Sequence, residues 1–351
     1  MKKVSVIVPC YNAENYIDRC MDSIIRQTIG IENLEIVLVN DASTDHTLDK
    51  LCEWEQKYPD SVLVITYDEN LRQGGAMNIG MQHSSGEYLA FSGADDWMEL
   101  DMYETLYRIA SEEKYDIVQG KFQRDAEYHV PVLPDADSSF CNHYVYHFEH
   151  LTEDYYQHQV DNMGTVGEYG CTTTAIYRRS LIMDHQIFFP EGLAFEDNYW
   201  SAVLNLYTKN LYLMDKIVYH YYSNPHSTVS SRNSLRQLDR LVIETMILEE
   251  YRKRGLFDLC YHELEWRFVN KYYLAMMYAI FTKLDMIPVD LMNDMRRTVV
   301  EQFPDYRENS NVRACLGRRK DLIDLLEIDE DLTLEQWMRV KLGYLDSLYG
   351  Q

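Results

Sequence analysis

Asp95 and Asp96 stand side by side at the end of a short apolar run, residues 88–91, and Trp97 follows them. A buried strand that ends in two carboxylates puts concentrated negative charge at a sheet edge, where open α/β sheets bind their ligands. Adjacent carboxylates repel, and a divalent cation with oxygen ligands relieves that repulsion most directly. A loop cap or a solvated pair has the same local signature, so the reading depends on the surroundings. Residues 69–80 supply a second candidate, with Arg72, Gly74, Gly75 and Asn78. Glycines there allow close backbone approach to a ligand, and a helix opening at Ala76 would favour an anion at its N-terminus. A second acidic pair, Glu196 and Asp197, stands at the start of a helical pattern, where an acid is ordinarily a cap. His220 lies in an aromatic segment and reads as packed among tyrosines rather than as a ligand.

Several elements must position these groups. Residues 4–8 form a β-branched run closed by Pro9, and the loop Cys10, Tyr11, Asn12 follows. Asn12 or Asn15 can cap a helix reaching Gln27, with Ile17, Met21, Ile24 and Ile25 at helical spacing. Residues 35–39 form a second apolar run, ending at Asn40, Asp41, Ala42, Ser43, Thr44 and Asp45. A helix over 47–58 and a strand over 61–66 complete a β-α-β-α-β series, which predicts a parallel sheet with right-handed crossovers. The strand into Asp95, a helix over 101–113 and strands over 116–120, 173–177 and 211–222 extend it. Beyond Pro225 strand signals vanish, and Leu235, Leu238, Leu241, Val242 and Met246 recur at helical spacing. The expected organisation is a catalytic α/β domain over 1–228 and a helical domain over 229–351.

The chain has 351 residues and a formal charge of −24, which argues against nucleic acid as the main partner. Arg313, Arg318, Arg319 and Lys320 read as a solvated helix face. Seven scattered cysteines with no C-x-x-C spacing suit a reducing compartment rather than a disulfide scaffold or zinc site. The N-terminus enters a strand without signal-peptide character, and the apolar stretch 272–281 is too short to span a bilayer. These features predict a cytoplasmic protein without a transmembrane segment. Residues 272–281 read as core of the helical domain rather than as an interface.

Taken in order, the motifs resemble those of the family 2 inverting glycosyltransferases of the GT-A fold, over roughly residues 1–225. Residues 4–12 resemble the family's opening strand with its Pro and Tyr-Asn, and residues 40–45 its Asp-x-Ser-x-Asp turn. Asn70 through Gly80 resemble its third loop, and Phe91 through Trp97 its acidic metal-binding motif. Phe195, Glu196 and Asp197 resemble its late Glu-Asp pair. The resemblance implies an α/β, Rossmann-like, mostly parallel sheet flanked by helices, with the C-terminal helical domain appended. It implies a metal-dependent, hexosyltransferase-type enzyme of polysaccharide biosynthesis, moving a sugar from a nucleotide donor to a hydroxyl of a glycan acceptor.

The same resemblance assigns roles. Pro9, Tyr11 and Asp41 would hold the nucleobase, favouring a UDP-sugar, with Asn12 and Asn78 beside them in the donor site. Asp95 would coordinate Mg2+ or Mn2+, and Asp96 would line the sugar pocket or support the metal. Asp197 would be the general base, with Glu196 as the alternative. Two positions depart from the family pattern: Gly93 where an acid is usual, and Met77 where an Arg is usual. Arg72 is the cation expected to make up for the latter. Residues 124–165 read as excursions near an acceptor pocket. Peripheral association with membrane-bound glycan synthesis and a homodimer through the C-terminal helices are compatible with this pattern. The alternatives are a degenerate transferase that binds nucleotide or glycan without turnover, and a nucleotidyltransferase, whose usual Gly-rich basic opening is missing after Pro9.

Overall fold

A computed structural model of the chain describes residues 2–132, 143–147, 172–224 and 233–349. The chain forms two compact units, Met1–Pro225 and His226–Gln351.

In the first unit, β1 (Val4–Cys10), β2 (Leu34–Asp41), β3 (Val62–Tyr67) and β4 (Tyr88–Phe91) are parallel neighbours in the order β3-β2-β1-β4. The apolar runs of β1, β2 and β4 are continuous rather than alternating because both faces of those strands are covered, whereas the edge strand β3 leaves Leu63 exposed. Val4, Val6 and Val8 pack with Ile17, Cys20, Met21 and Ile24 of α1 (Ile17–Ile25) and with Met102, Leu106 and Ile109 of α4 (Met102–Glu113). Ile7, Val37 and Val39 pack on the other face with Ala76, Met77 and Met81 of α3 (Arg72–His83). Between them, α2 (Thr47–Lys57) connects β2 to β3. Pro9 is part of β1 instead of ending it. Ser92 N–H bonds to Ile7 O, so residues 7 and 9 both face β4, and β4 pairs no further than Ile7–Phe91. The missing proline donor therefore falls where no partner strand needs it.

Past β4 the sheet is mixed. β8 (Ala175–Arg178) pairs antiparallel with β4 and with β6 (Ile117–Asp125), and β6 runs parallel to β9 (Asn210–Tyr222). β5 (Trp97–Met98) and β7 (His143–His147) both pair antiparallel with β9. Gly120 does not end β6 as expected; the strand passes through a register shift there and continues five residues to Asp125. Thr172–Thr174 form a 3-10 turn, so β8 begins two residues later than the pattern suggested. β7 lies within residues 124–165, which had shown no period; positions 133–142 and 148–171 are outside the described residues. Two helices, α5 (Arg179–Asp184) and α6 (Glu196–Asn205), complete the unit. Neither Asn12 nor Asn15 caps α1, which starts at Ile17 without a side-chain cap.

The second unit is helical throughout its described residues. It contains α7 (Asp239–Lys253), α8 (Tyr261–Arg267), a π-helical segment (Phe268–Leu274), α9 (Ala275–Lys283), α10 (Val289–Gln302), α11 (Ser310–Asp324) and α12 (Leu334–Tyr349). Tyr273, Met276, Met277, Ile280 and Phe281 are buried, which places the aromatic stretch in the core of this unit. Of the basic quartet, Arg313 pairs with Glu308, Lys320 with Asp324 and Arg319 with Asn270; the Arg318 side chain is outside the described residues. Among the described residues no helix is long and apolar enough to cross a membrane.

Candidate functional site

The order β3-β2-β1-β4 reverses direction between β1 and β4, and such a switch point opens a crevice at the carboxyl ends of the strands. Pro9, Tyr11 and Asn12 stand at the end of β1, Asp41 ends β2, and Asp95 and Asp96 follow β4. Tyr11 is 53% exposed, an aromatic face open to the crevice rim. Asn12 ties the first two loops together: its Oδ1 accepts from Thr44 N–H (2.8 Å) and its own N–H donates to Ser43 Oγ (3.1 Å). Asp41 is buried, and its Oδ1 accepts from Leu71 N–H (2.6 Å), fixing the entry to α3. Burial raises the Asp41 carboxyl, while the backbone amides of Leu71 and Arg72 and the Arg72 charge hold it down. Arg72 therefore does bring a cation to this edge.

Left-handed backbone gathers here. Asn12 (φ 50°), Ala42 (φ 56°), Arg72 (φ 63°) and Phe195 (φ 65°) all adopt it without being glycine. Each such residue costs roughly 1–3 kcal/mol; Asn12, Ala42 and Arg72 lie in the loops after β1 and β2 and at the start of α3, and Phe195 stands at the N-cap of α6.

The two acids of the first pair have different fates. Asp95 is half-buried, accepts from Asn224 Nδ2 (3.0 Å) and keeps its carboxylate at the strand edge. Asp96 is 4% exposed and turned inward. Its Oδ2 accepts from the Tyr219 hydroxyl (2.7 Å) and its Oδ1 from Tyr222 N–H (2.8 Å). Burial, then the neighbouring Asp95 charge, pushes the Asp96 carboxyl up to about 7. This placement explains Gly93. A Cβ there would lie 2.6 Å from Asp96 Oδ2, so the inward carboxylate fills the space that an acid at 93 would need. Asp95 alone is left as an outward carboxylate oxygen donor, which suits Mg2+ or Mn2+ held by one carboxylate together with substrate phosphates.

Arg19 of α1 was not singled out from sequence. Its Nη2 donates to Asp95 O, and its guanidinium sits 4.2 Å from the Tyr222 ring, with Tyr16 at 5.0 Å and Trp97 at 5.2 Å. Tyr16, one turn before it, is a local hint; its other partners are distant in sequence.

The third loop is corrected in two respects. Gly74 and Gly75 lie inside α3, which begins at Arg72 rather than at Ala76. A Cβ on Gly74 would lie 2.5 Å from Pro190 O and 3.2 Å from Glu196 Cγ, so this glycine admits protein backbone rather than a ligand. Asn78, expected in the donor site, is buried instead. It donates from Nδ2 to Phe189 O (2.9 Å) and accepts at Oδ1 from Phe189 N–H (2.8 Å). It clamps the segment that leads into α6. Met77 is 1% exposed and belongs to the core on that sheet face, so this departure points away from the crevice.

At the head of α6, Glu196 is 6% exposed against α3, and burial followed by the Asp197 charge pushes its carboxyl up to about 7. Asp197 is half-buried, and its Oδ1 accepts from Asn198 N–H (3.0 Å). His220 is packed against Trp97 rather than among tyrosines, its ring 5.4 Å away and nearly parallel.

A chain with this sheet order and these loops has known counterparts. It is 32% identical over 223 residues to glycosyltransferase GlyA of Streptococcus pneumoniae, covering 62% of this chain and 30% of GlyA. It is 29% identical over 262 residues to the putative glycosyltransferase EpsH of Bacillus subtilis, covering 71% of this chain and 72% of EpsH. This chain therefore spans under a third of the length of GlyA. The crystal structure of S. aureus TarS 1–349 in complex with UDP-GlcNAc has the same fold, with a TM-score of 0.69 at 19% identity over 99% of this chain and 92% of that one. The model for glycosyl transferase family 2 matches residues 5–185, more than half the sequence, and the chain belongs to that family, a glycosyltransferase of GT-A fold with a helical C-terminal region.

Proposed function

We propose that the chain is an inverting transferase that moves a sugar from a UDP-sugar to a hydroxyl of a surface-glycan acceptor, with a divalent cation at Asp95 and Asp197 as general base. The observation that carries this reading is the half-buried Asp95 carboxylate at the β1/β4 switch point, with Tyr11 and Asp41 on the adjoining strand ends. The UDP-GlcNAc bound by TarS supports a uridine donor. Tyr11 offers a face for the base, and Asp41 shapes the loop that brings Arg72 beside the diphosphate.

A divalent cation held by Asp95 and the donor phosphates would offset the charge of the leaving diphosphate. The acceptor oxygen forms its bond to the anomeric carbon as the bond to the nucleotide diphosphate breaks on the opposite face. The hydroxyl proton passes to Asp197, and configuration inverts. Asp197 is preferred to Glu196 because Glu196 is buried against Gly74, where an acceptor hydroxyl has no access. Gly93 and Met77 have local packing reasons, so neither favours binding without turnover. The polymer acceptor, peripheral membrane association and a homodimer through the helical unit remain parts of the same proposal.

Calorimetric titration of UDP and GDP, with and without Mn2+, into wild type and Asp95→Ala tests the donor half. Metal-dependent UDP binding that Asp95→Ala abolishes is expected, and no binding of UDP overturns the donor assignment. Asp197→Asn should keep that binding and lose about 10²–10⁴ in kcat, the usual worth of a positioned base; unchanged turnover removes Asp197 from the role.

A further inference from the structure

We infer that Asp125, His129 and His220 form a second metal site, for a transition-metal cation such as Zn2+, separate from the oxygen site at Asp95. One candidate ligand atom from each of the three lies within 4.8 Å of the others. β6 ends at Asp125, β9 carries His220 beside it, and His129 follows four residues after Asp125. The His220 ring lies flat on Trp97, and His129 meets both rings edge-on, 5.3 Å from Trp97 and 4.6 Å from His220.

His220 is bracketed by two carboxylates: Nε2 is 2.9 Å from Glu99 Oε1 and Nδ1 is 2.8 Å from Asp125 Oδ2. One chemistry for this is an imidazolium donating to both. The other is a neutral ring donating Nε2–H to Glu99, with the Nδ1 lone pair turned to a cation that it shares with Asp125. A carboxylate on the far nitrogen is how metal-bound histidines are ordinarily oriented. His129 brings the second reading its missing part: its ring stands against His220, and a cation shared by Nδ1 and Asp125 needs a third ligand at that place. Two imidazoles and one carboxylate, with a water, match the donor set of Zn2+ and disfavour Mg2+. With bonds of about 2.0–2.2 Å, ligand atoms in a tetrahedron sit roughly 3.4 Å apart. Asp125 and the exposed His129 would supply that contraction, while buried His220 stays pinned on Trp97. Such an ion would tie residues 125–129 over Trp97, directly after Asp95 and Asp96.

The test uses the full chain carrying Asp95→Asn, freed of metal with a chelator and titrated with Co2+ and then Zn2+. One equivalent of Co2+ with ligand-field absorption of a low-coordinate nitrogen site is expected, displaced by Zn2+. His129→Ala, at an exposed position, should weaken it at least tenfold, and Glu99→Gln by about 10–100-fold. Absence of a bound equivalent, or undiminished binding by His129→Ala, overturns the proposal. So does a His220 ring that stays protonated at both nitrogens through pH 8 with Zn2+ in excess, which would establish the imidazolium. The UDP titrations read a different site and a different ion, so either result stands without the other.

Discussion

Gly93 is the position where a single methyl group tests the account of the acidic motif. Gly93→Ala places a Cβ 2.6 Å from Asp96 Oδ2 and 3.2 Å from Asp95 Oδ1. The Asp96 carboxylate is the atom group that must yield, and it is held by the Tyr219 hydroxyl at 2.7 Å and Tyr222 N–H at 2.8 Å. The Tyr219 hydroxyl also accepts from Gly93 N–H (2.9 Å), so displacement loosens both ends of the turn. A hydrogen bond to a charged acceptor is worth about 1.5–3 kcal/mol, so a loss of roughly 2 kcal/mol is expected at pH 8, where Asp96 is ionised. For a unit of this size that lowers the unfolding midpoint by about 4–8 °C. Thermal unfolding of wild type, Gly93→Ala, Tyr219→Phe and the double variant measures it. Because the methyl acts by breaking the Tyr219–Asp96 contact, the two single effects should overlap by about 1 kcal/mol or more. Gly93→Asp, which restores the acid usual in the family, should be worse than Gly93→Ala, since it adds a third carboxylate against two. An unshifted midpoint for Gly93→Ala, or single effects that simply add, would refute the compensation described for Gly93.

Gly74→Ala drives a Cβ into Pro190 O at 2.5 Å, and displacement of the Glu196–Asp197 segment by about 1 Å should lower kcat on the order of 10²-fold, read by steady-state turnover. Asn78→Ala leaves both backbone groups of Phe189 without their partner and should cost about 2–4 kcal/mol in urea unfolding, with donor binding by calorimetry little changed. Glu196 is raised from 4.5 to about 7 in the folded state, so its contribution to stability is complete below about 4.5 and is lost as pH rises through 7. Glu196→Gln should therefore flatten the fall in stability between pH 5 and 8, on the order of 3 kcal/mol at most, and an unchanged pH profile in denaturant unfolding would count against it.

The strands and loops were legible because their signals are local. Apolar runs of four to eight residues lead into Pro9 and Asp41 and, across the short turn after Phe91, into Asp95, and those residues stand at the crevice the run order predicts. What escaped the sequence depends on partners far along the chain. Gly74 and Asn78 read as a ligand loop because nothing nearby announces Phe189 or Pro190, more than a hundred residues on. The inward turn of Asp96 follows from Tyr219 and Tyr222, which reach it through pairing of β5 with β9. Gly120 looked like a strand end because a glycine in a bulge and a glycine in a turn are the same letter. His220 looked like one aromatic among many until register set it on Trp97.

Both acidic pairs solve one electrostatic problem in the same way. Asp96 and Glu196 are each buried, and each is pushed up to about 7, by burial first and by an adjacent carboxylate second. Asp95 and Asp197 are the half-buried members. Near neutral pH the buried acid is protonated much of the time, so each pair carries fewer than two charges and repels itself less. The buried member is also the anchor: Asp96 is gripped by Tyr219 and Tyr222, and Glu196 is pressed against α3 at Gly74. In the roles proposed for Asp95 and Asp197, a carboxylate that binds a cation or takes a proton needs a fixed backbone beneath it, and a neutral, buried neighbour supplies that at less cost than a second exposed charge. On this reasoning Asp96 and Glu196 should be replaceable by Asn and Gln with most of the fold retained, whereas no neutral residue can stand in for Asp95 or Asp197.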